Sequence, residues 1–376
     1  ATDIGSIALS VGNIETPNTT MGRIVDGPSA SNRNLGCQER PNGSDIGQTV
    51  SMVSLSERLA EHIPLLVDGA MGTELFARGL TAGDPPEMWN LDSPDDIIDV
   101  HKGYIKAGSD IILTNSFGGT AFRLKLHKLQ DRVFEINKAA AQCGRAAADS
   151  SDRHIVVAGS MGPSGELLEP MGTMTPQSAA AAFAEQARGL AAGGADVLWI
   201  ETMSSLEEVE AAVVGARSAC DLPIAATMSF DTAGHTMMGV SGHDAAVQLD
   251  NLGLAAIGAN CGNNIADTEA AVLQLKQGAP STPIIVKANA GIPEFKGDKL
   301  HYTGSPEVMG AHLKRMVDAG IEIIGGCCGT ATHHVAYMRG VIDGAIEPPM
   351  IEAPISHNPP PPTERSAPAR RRRRRS

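Results

Sequence analysis

Short apolar runs separated by longer amphipathic stretches recur through the middle of this 376-residue chain, at residues 64–68, 110–115, 154–159, 197–201, 223–229, 255–260, 283–289 and 321–325. Runs of that length, mostly apolar and rich in β-branched residues, predict strands buried on both faces. Most of the intervening segments are long enough for helices and carry helix punctuation. Ser93-Pro94, Thr175-Pro176 and Ser305-Pro306 each set a hydroxyl at an N-cap before proline at the first helical position. Ala107-Gly108-Ser109-Asp110, Gly193-Gly194-Ala195-Asp196 and Ala319-Gly320-Ile321-Glu322 each end a helix with glycine, then place an acid just ahead of the next strand. Eight such alternations predict an α/β chain folded as a parallel (β/α)8 TIM barrel, with a doubly wound sheet as the runner-up.

The pattern stops at both ends. Residues 1–50 are rich in Ser, Asn, Gly and Thr with no sustained apolar period, and 347–376 turn to proline and then arginine. The organisation expected is therefore a disordered extension over 1–50, one barrel domain over 51–346 and a Pro/Arg-rich tail over 347–376.

Composition narrows the function class. Hydrophobic residues make up 42% of the chain, enough for a large core, and no apolar run is long enough to span a bilayer. The formal net charge is −13, and setting aside the six charges of the Arg370–Arg375 run leaves −19 on the rest. An acidic body argues against nucleic acid as the barrel's partner. The first residues show no basic segment followed by an apolar one, so a secretory leader is not expected. Unpaired cysteines then fit a reducing cytoplasm.

Chemistry concentrates where the strands should end. The run at 321–325 breaks into Gly326-Cys327-Cys328-Gly329-Thr330, and the run at 255–260 into Cys261-Gly262. Adjacent cysteines are poorly placed to form a disulfide with each other, and flanking glycines let the backbone bend until both sulfurs face one point. With Cys261 they make three soft ligands for zinc and leave a fourth position open, as in a catalytic site. The plainer reading is that such cysteines are small core hydrophobes or an oxidation-sensitive pair, and Cys37, Cys143 and Cys220 are read that way. Asp68, Asn115, Glu201, Asn260 and Asn289 also end apolar strands. A buried acid such as Glu201 needs a cation, and a substrate ammonium would supply one; an internal salt bridge or a helix cap is the alternative. Three thiolates make the metal a weak electrophile toward water but suit it to a substrate thiol, which implies S-alkylation.

These motifs carry a resemblance. Asp68-Gly69-Ala70-Met71-Gly72-Thr73, Thr114-Asn115-Ser116-Phe117, Trp199-Ile200-Glu201-Thr202, Gly258-Ala259-Asn260-Cys261-Gly262 and Gly325-Gly326-Cys327-Cys328-Gly329-Thr330 resemble, in order, those of the homocysteine S-methyltransferase family. The match runs from about residue 55 to 343 and is nearest the bacterial betaine–homocysteine enzymes. It implies zinc on Cys261, Cys327 and Cys328, and homocysteine with its amino group near Glu201 and Asp68, in a pocket that takes in Gly69 and Asn115. A small onium donor would complete the reaction, betaine ahead of dimethylsulfoniopropionate or S-methylmethionine, giving methionine. An onium group favours aromatic faces, and Phe117, Trp89, Tyr302 and Phe230 are the aromatics near strand ends. The position after Phe117, aromatic in the mammalian betaine enzymes, is Gly118 here. Two other classes of function stand beside this one: a barrel lyase using Lys287 as a Schiff base, and a non-catalytic zinc or thiol sensor. The expected partners are homocysteine and a small methyl donor, and a homo-oligomer is compatible with the chain.

Overall fold

The computed structural model describes residues 54–60, 64–81, 83–231, 234–296 and 299–351, so the expectations for 1–50 and for most of 347–376 fall outside the described residues. In chain order the principal elements are α1 (Leu55–Ala60), β1 (Leu65–Leu66), α2 (Met71–Ala77), α3 (Trp89–Asp92), α4 (Pro94–Ala107), β2 (Ile111–Leu113), α5 (Ala121–Leu124), α6 (Val133–Asp149) and β3 (Val156–Met161). Then follow α7 (Pro176–Gly193), β4 (Val197–Met203), α8 (Leu206–Ala219), β5 (Ile224–Met228), α9 (Gly242–Asn251), β6 (Ala256–Cys261), α10 (Ile265–Gly278) and β7 (Ile284–Ala288). The chain closes with β8 (Pro293–Lys296), β9 (Lys299–Tyr302), α11 (Pro306–Asp318), β10 (Ile323–Gly326) and α12 (Thr332–Ile342).

Each of the eight apolar runs forms a strand of one parallel sheet, ordered β1-β10-β7-β6-β5-β4-β3-β2. A parallel bridge between Val67 and Ile111 joins the two end strands, so the sheet closes on itself as a (β/α)8 barrel. The antiparallel hairpin β8–β9 is an insertion between β7 and α11 that the apolar pattern does not announce.

Alternation along the strands sorts the core into two layers. Leu65, Val67, Ile111, Leu113, Val156, Ala158, Val197, Trp199, Ala225, Ala256, Ile285 and Ile323 form one buried cluster, the barrel interior, into which Leu55 of α1 also packs. The intervening positions, among them Leu66, Ile112, Val157, Leu198, Ile257, Val286 and Ile324, join the larger cluster beneath the helices. Continuing the inward series by two residues in β3, β4, β5 and β7 reaches Ser160, Glu201, Thr227 and Lys287, and continuing that of β10 by four reaches Cys327. The apolar interior is thus the floor on which a polar layer stands.

The acids that precede strands have a common use. Asp110 Oδ2 accepts the Leu66 N–H at 3.0 Å, Asp196 Oδ2 the Val157 N–H at 2.9 Å, and Glu322 Oε2 the Ile284 N–H at 2.9 Å. Each carboxylate so occupies a backbone donor at the start of the neighbouring strand, where the ladder has not yet begun. Among the described residues no helix is long and apolar enough to cross a membrane.

Candidate metal and substrate site

The three glycine-flanked cysteines meet at the C-terminal ends of β6 and β10. Cys327 Sγ lies 3.5 Å from Cys261 Sγ, and Cys261 Sγ lies 3.8 Å from Cys328 Sγ. They are the group of potential metal ligands found among the described residues, with ligand atoms within 4.8 Å of one another. Cys143 and Cys220 are buried elsewhere. Cys261 reaches the cluster by adopting φ 62°, a left-handed conformation unusual for a residue with a side chain, and Thr202 at the end of β4 does the same with φ 62°. One asparagine holds both bends. Asn260 Oδ1 accepts the Thr202 N–H at 2.8 Å and the Thr227 hydroxyl at 2.6 Å, while its Nδ2 donates to Thr202 Oγ1 at 2.7 Å. Asn289 ties the other side: it donates to the Gly262 carbonyl at 2.7 Å and accepts the Cys328 N–H at 3.1 Å.

Beside the sulfurs two carboxylates face one ammonium. Lys287 Nζ is 3.7 Å from Asp68 Oδ1 and 3.9 Å from Glu201 Oε2, with all three side chains almost wholly buried. The second oxygen of each acid is already fixed, Asp68 Oδ2 by the Leu113 N–H at 2.7 Å and Glu201 Oε1 by the Ser160 hydroxyl at 2.5 Å. Asp68 Oδ1 has no hydrogen-bond partner. Burial pushes the Asp68 carboxyl up to about 7, with Lys287 pulling it down and Glu201 pushing it further up. Glu201 is raised likewise by burial, again against the pull of Lys287. Burial disfavours the charged form of Lys287, but Glu201 and then Asp68 outweigh it and hold the ammonium above the usual lysine range. Among the thiols, the contact with Cys261 holds Cys328 below the usual thiol range.

These groups open into a cavity of ≈ 360 Å³. Of the residues singled out from the sequence, Asp68, Gly69, Asn115, Phe117, Glu201, Cys261, Cys327 and Cys328 line it. Asn115 does so with its side-chain amide already engaged, donating to the Pro86 carbonyl at 2.7 Å. Tyr302, at the end of β9, crosses Gly329 so closely that a β-carbon there would lie 2.2 Å from the ring; only glycine admits it next to Cys328. Trp89 packs half-buried against the outer core and Phe230 is buried in it; neither is among the cavity-lining residues. Gly118 gives its N–H to Glu87 Oε1 at 2.7 Å, and a β-carbon there would come 2.7 Å from that same oxygen. The carboxylate of Glu87 therefore occupies space beside the backbone where a larger residue would begin.

Sequence reasoning passed over Ser160, Glu87 and Arg123, which also line the cavity, and it raised Lys287 only as a Schiff-base candidate. Ser160 and Lys287 had a readable signal, each continuing an inward strand series by one more alternate position. Glu87 and Arg123 lie in short helical turns within the connections between strands and barrel helices and had none.

Residues 65–342 match the family described as Homocysteine S-methyltransferase. The chain is 31% identical over 307 residues to a methionine synthase of Mycobacterium tuberculosis, an alignment covering 78% of this chain and 25% of that protein. It is 29% identical over 324 residues to a methionine synthase of Mycobacterium leprae, covering 81% and 26%. The chain thus spans about a quarter of the length of these relatives. Among solved structures, the metallated form of the homocysteine methyltransferase MmuM from Escherichia coli superposes with a TM-score of 0.64 at 24% identity, covering 75% of this chain and 98% of that one. Its oxidised form gives 0.61 at 25% identity, covering 74% and 96%.

Proposed function

Because this chain belongs to the homocysteine S-methyltransferase family, we propose that its barrel transfers a methyl group from a small onium donor, betaine foremost, to the sulfur of homocysteine, giving methionine. The observation that carries the reading is a three-thiol cluster sharing one cavity with two carboxylates, one of which has an oxygen lacking a hydrogen-bond donor.

The cluster suits zinc. Tetrahedral Zn–S bonds of about 2.3 Å put sulfurs about 3.8 Å apart, and the spacings here are 3.5 and 3.8 Å. Cys261, Cys327 and Cys328 would hold the ion, which acidifies a thiol offered to its open position. A reducing compartment such as the cytoplasm suits three free thiols.

The chain's own groups do the rest. Asp68, Glu201 and Lys287 carry a net charge of −1 when ionised, so the trio accepts one further cation, and the ammonium of homocysteine fits that need. Its N–H groups would reach Asp68 Oδ1, which has Lys287 as an ion-pair partner but no hydrogen-bond donor, while the Leu113 N–H and the Ser160 hydroxyl stop either carboxylate from turning away. Lys287 favours the ionised form of both acids, which burial alone would neutralise. In the transfer, a lone pair of the deprotonated homocysteine sulfur forms the new S–CH3 bond as the C–N bond of the donor breaks. That bond's electrons stay on nitrogen, and the amine departs neutral without a general acid. The charge held on Lys287 also argues against the Schiff-base lyase, which needs a neutral amine.

The test supplies zinc-loaded protein and homocysteine with betaine, dimethylsulfoniopropionate, S-methylmethionine or methyltetrahydrofolate in turn and measures methionine. Turnover with betaine is expected, and Cys328→Ala should lose both the metal and the turnover. Turnover with the folate alone, or full zinc and activity in Cys328→Ala, would reject the reading.

A further inference from the structure

One cation in the cavity wall lacks a partner among the described residues. Arg123 lies in α5, ten residues past the end of β2, and lines the same cavity as the cysteines. Its backbone is anchored, the N–H donating to the Thr120 hydroxyl at 3.4 Å. Its guanidinium makes no ion pair or hydrogen bond among the described residues. The other half-buried arginines among them all do: Arg58 and Arg339 pair with Asp110, Arg132 with Glu135, Arg145 with Asp196 and Arg315 with Glu269. The guanidinium instead runs across Gly165 of the β3–α7 loop, where a β-carbon would meet Nη1 at 3.1 Å. A half-buried, unpaired guanidinium is costly in a free protein unless an anion completes it.

The charges along the cavity say which anion. On the floor, Asp68, Glu201 and Lys287 together complement an amino acid whose ammonium and carboxylate hang on one carbon. That carbon keeps the acceptor's own carboxylate near the floor. Arg123 belongs to the wall built by the β2–α6 connection, which also supplies Phe117, Leu124 and Leu126. An aromatic and apolar wall suits a methylated cation, and a fixed positive charge on it suits a carboxylate.

We infer that Arg123 is the carboxylate anchor for the methyl donor, making the donor class a zwitterion with an onium at one end and a carboxylate at the other. Its cationic end lies toward the negative floor and its anionic end on the guanidinium, so the dipole of the donor follows the charge gradient of the cavity. The inference rests on the methyl-transfer reading for what the bound molecule is used for, not for whether it binds.

Calorimetric titration of the zinc-loaded full chain with betaine and with choline, which differs from it by replacing the carboxylate with a hydroxymethyl, separates the two. Betaine should bind more tightly, and Arg123→Leu should weaken betaine by about 10- to 100-fold, the range for losing a charge-assisted bond, while choline moves by less than about twofold. Arg123→Lys should recover part of the betaine affinity and less than all of it, since lysine lacks the two-pronged geometry. A wild-type protein that binds neither ligand, or an Arg123→Leu protein that binds betaine as before or loses both ligands equally, would overturn the assignment. So would a loss confined to homocysteine, which would give the anchor to the acceptor. Betaine binding that depends on Arg123 without methionine formation would leave the anchor standing and remove the proposed function.

Discussion

Lys287 shows how one side chain sets the chemistry of others. It stands 3.7 Å from Asp68 and 3.9 Å from Glu201, all three side chains nearly buried, so its charge is felt by both with reduced screening. Burial raises the Asp68 carboxyl to about 7 even with Lys287 pulling it down. Removing the ammonium removes that pull. If ionised Asp68 holds the substrate ammonium, Lys287→Met should shift the acid limb of the pH profile of kcat/KM for homocysteine to higher pH. Activity is then lost over a window that begins nearer neutrality than in the wild type. A profile that stays in place would show that Asp68 and Lys287 do not titrate against each other in the working enzyme.

Helix starts look alike in the sequence but differ in the structure. Thr175, ahead of α7, accepts the Ser178 N–H at 3.1 Å, and Ser178 Oγ in turn accepts the Thr175 N–H at 3.1 Å, a reciprocal capping box. Ser93, ahead of α4 and also followed by proline, makes no side-chain cap bond, because its ψ of 57° is not the extended conformation of a typical cap. Thr175→Ala should therefore cost about 1 kcal/mol and Ser93→Ala a few tenths at most. Chemical denaturation of the two variants side by side measures this, and equal losses would contradict it. The helix ends agree more closely with the sequence: Gly108 and Gly194 are left-handed caps with φ of 112° and 98°, positions where a β-carbon would be strained.

At the scale of the barrel, the segment after the last helix matters. Beyond α12, Pro348 is buried and the Ile351 carbonyl accepts a bond from Arg315 Nη1 at 2.6 Å. A chain cut to residues 51–351 should melt as cooperatively as the full chain. Cutting back to 346 removes that bond and the buried proline, at a cost of about 1 kcal/mol, which in a barrel of this size lowers Tm by about 2–4 °C. Thermal scans of the two trimmed chains test this; identical melting temperatures would show that 347–351 add nothing.

What the sequence by itself determined was periodic or local. The eight strands were legible because each is buried on both faces, and the glycine and proline stops were legible because they act within a few residues. The three-thiol cluster could be read because Cys261 ends β6 and Cys327 and Cys328 follow β10, so any parallel barrel would bring them to one end. Tertiary structure decided everything that depends on which strand ends face each other across that barrel. It brought Lys287 between Asp68 and Glu201, which lie 219 and 86 residues before it in the chain. It also tied the Asn115 amide to the Pro86 carbonyl, laid Tyr302 over Gly329 by way of a hairpin with no apolar signature, and left the Arg123 guanidinium on the wall without a partner among the described residues. None of these follows from residue type or spacing, because each is set by the closure of the sheet and the path of loops across its mouth, and those paths are fixed by contacts between residues far apart in sequence.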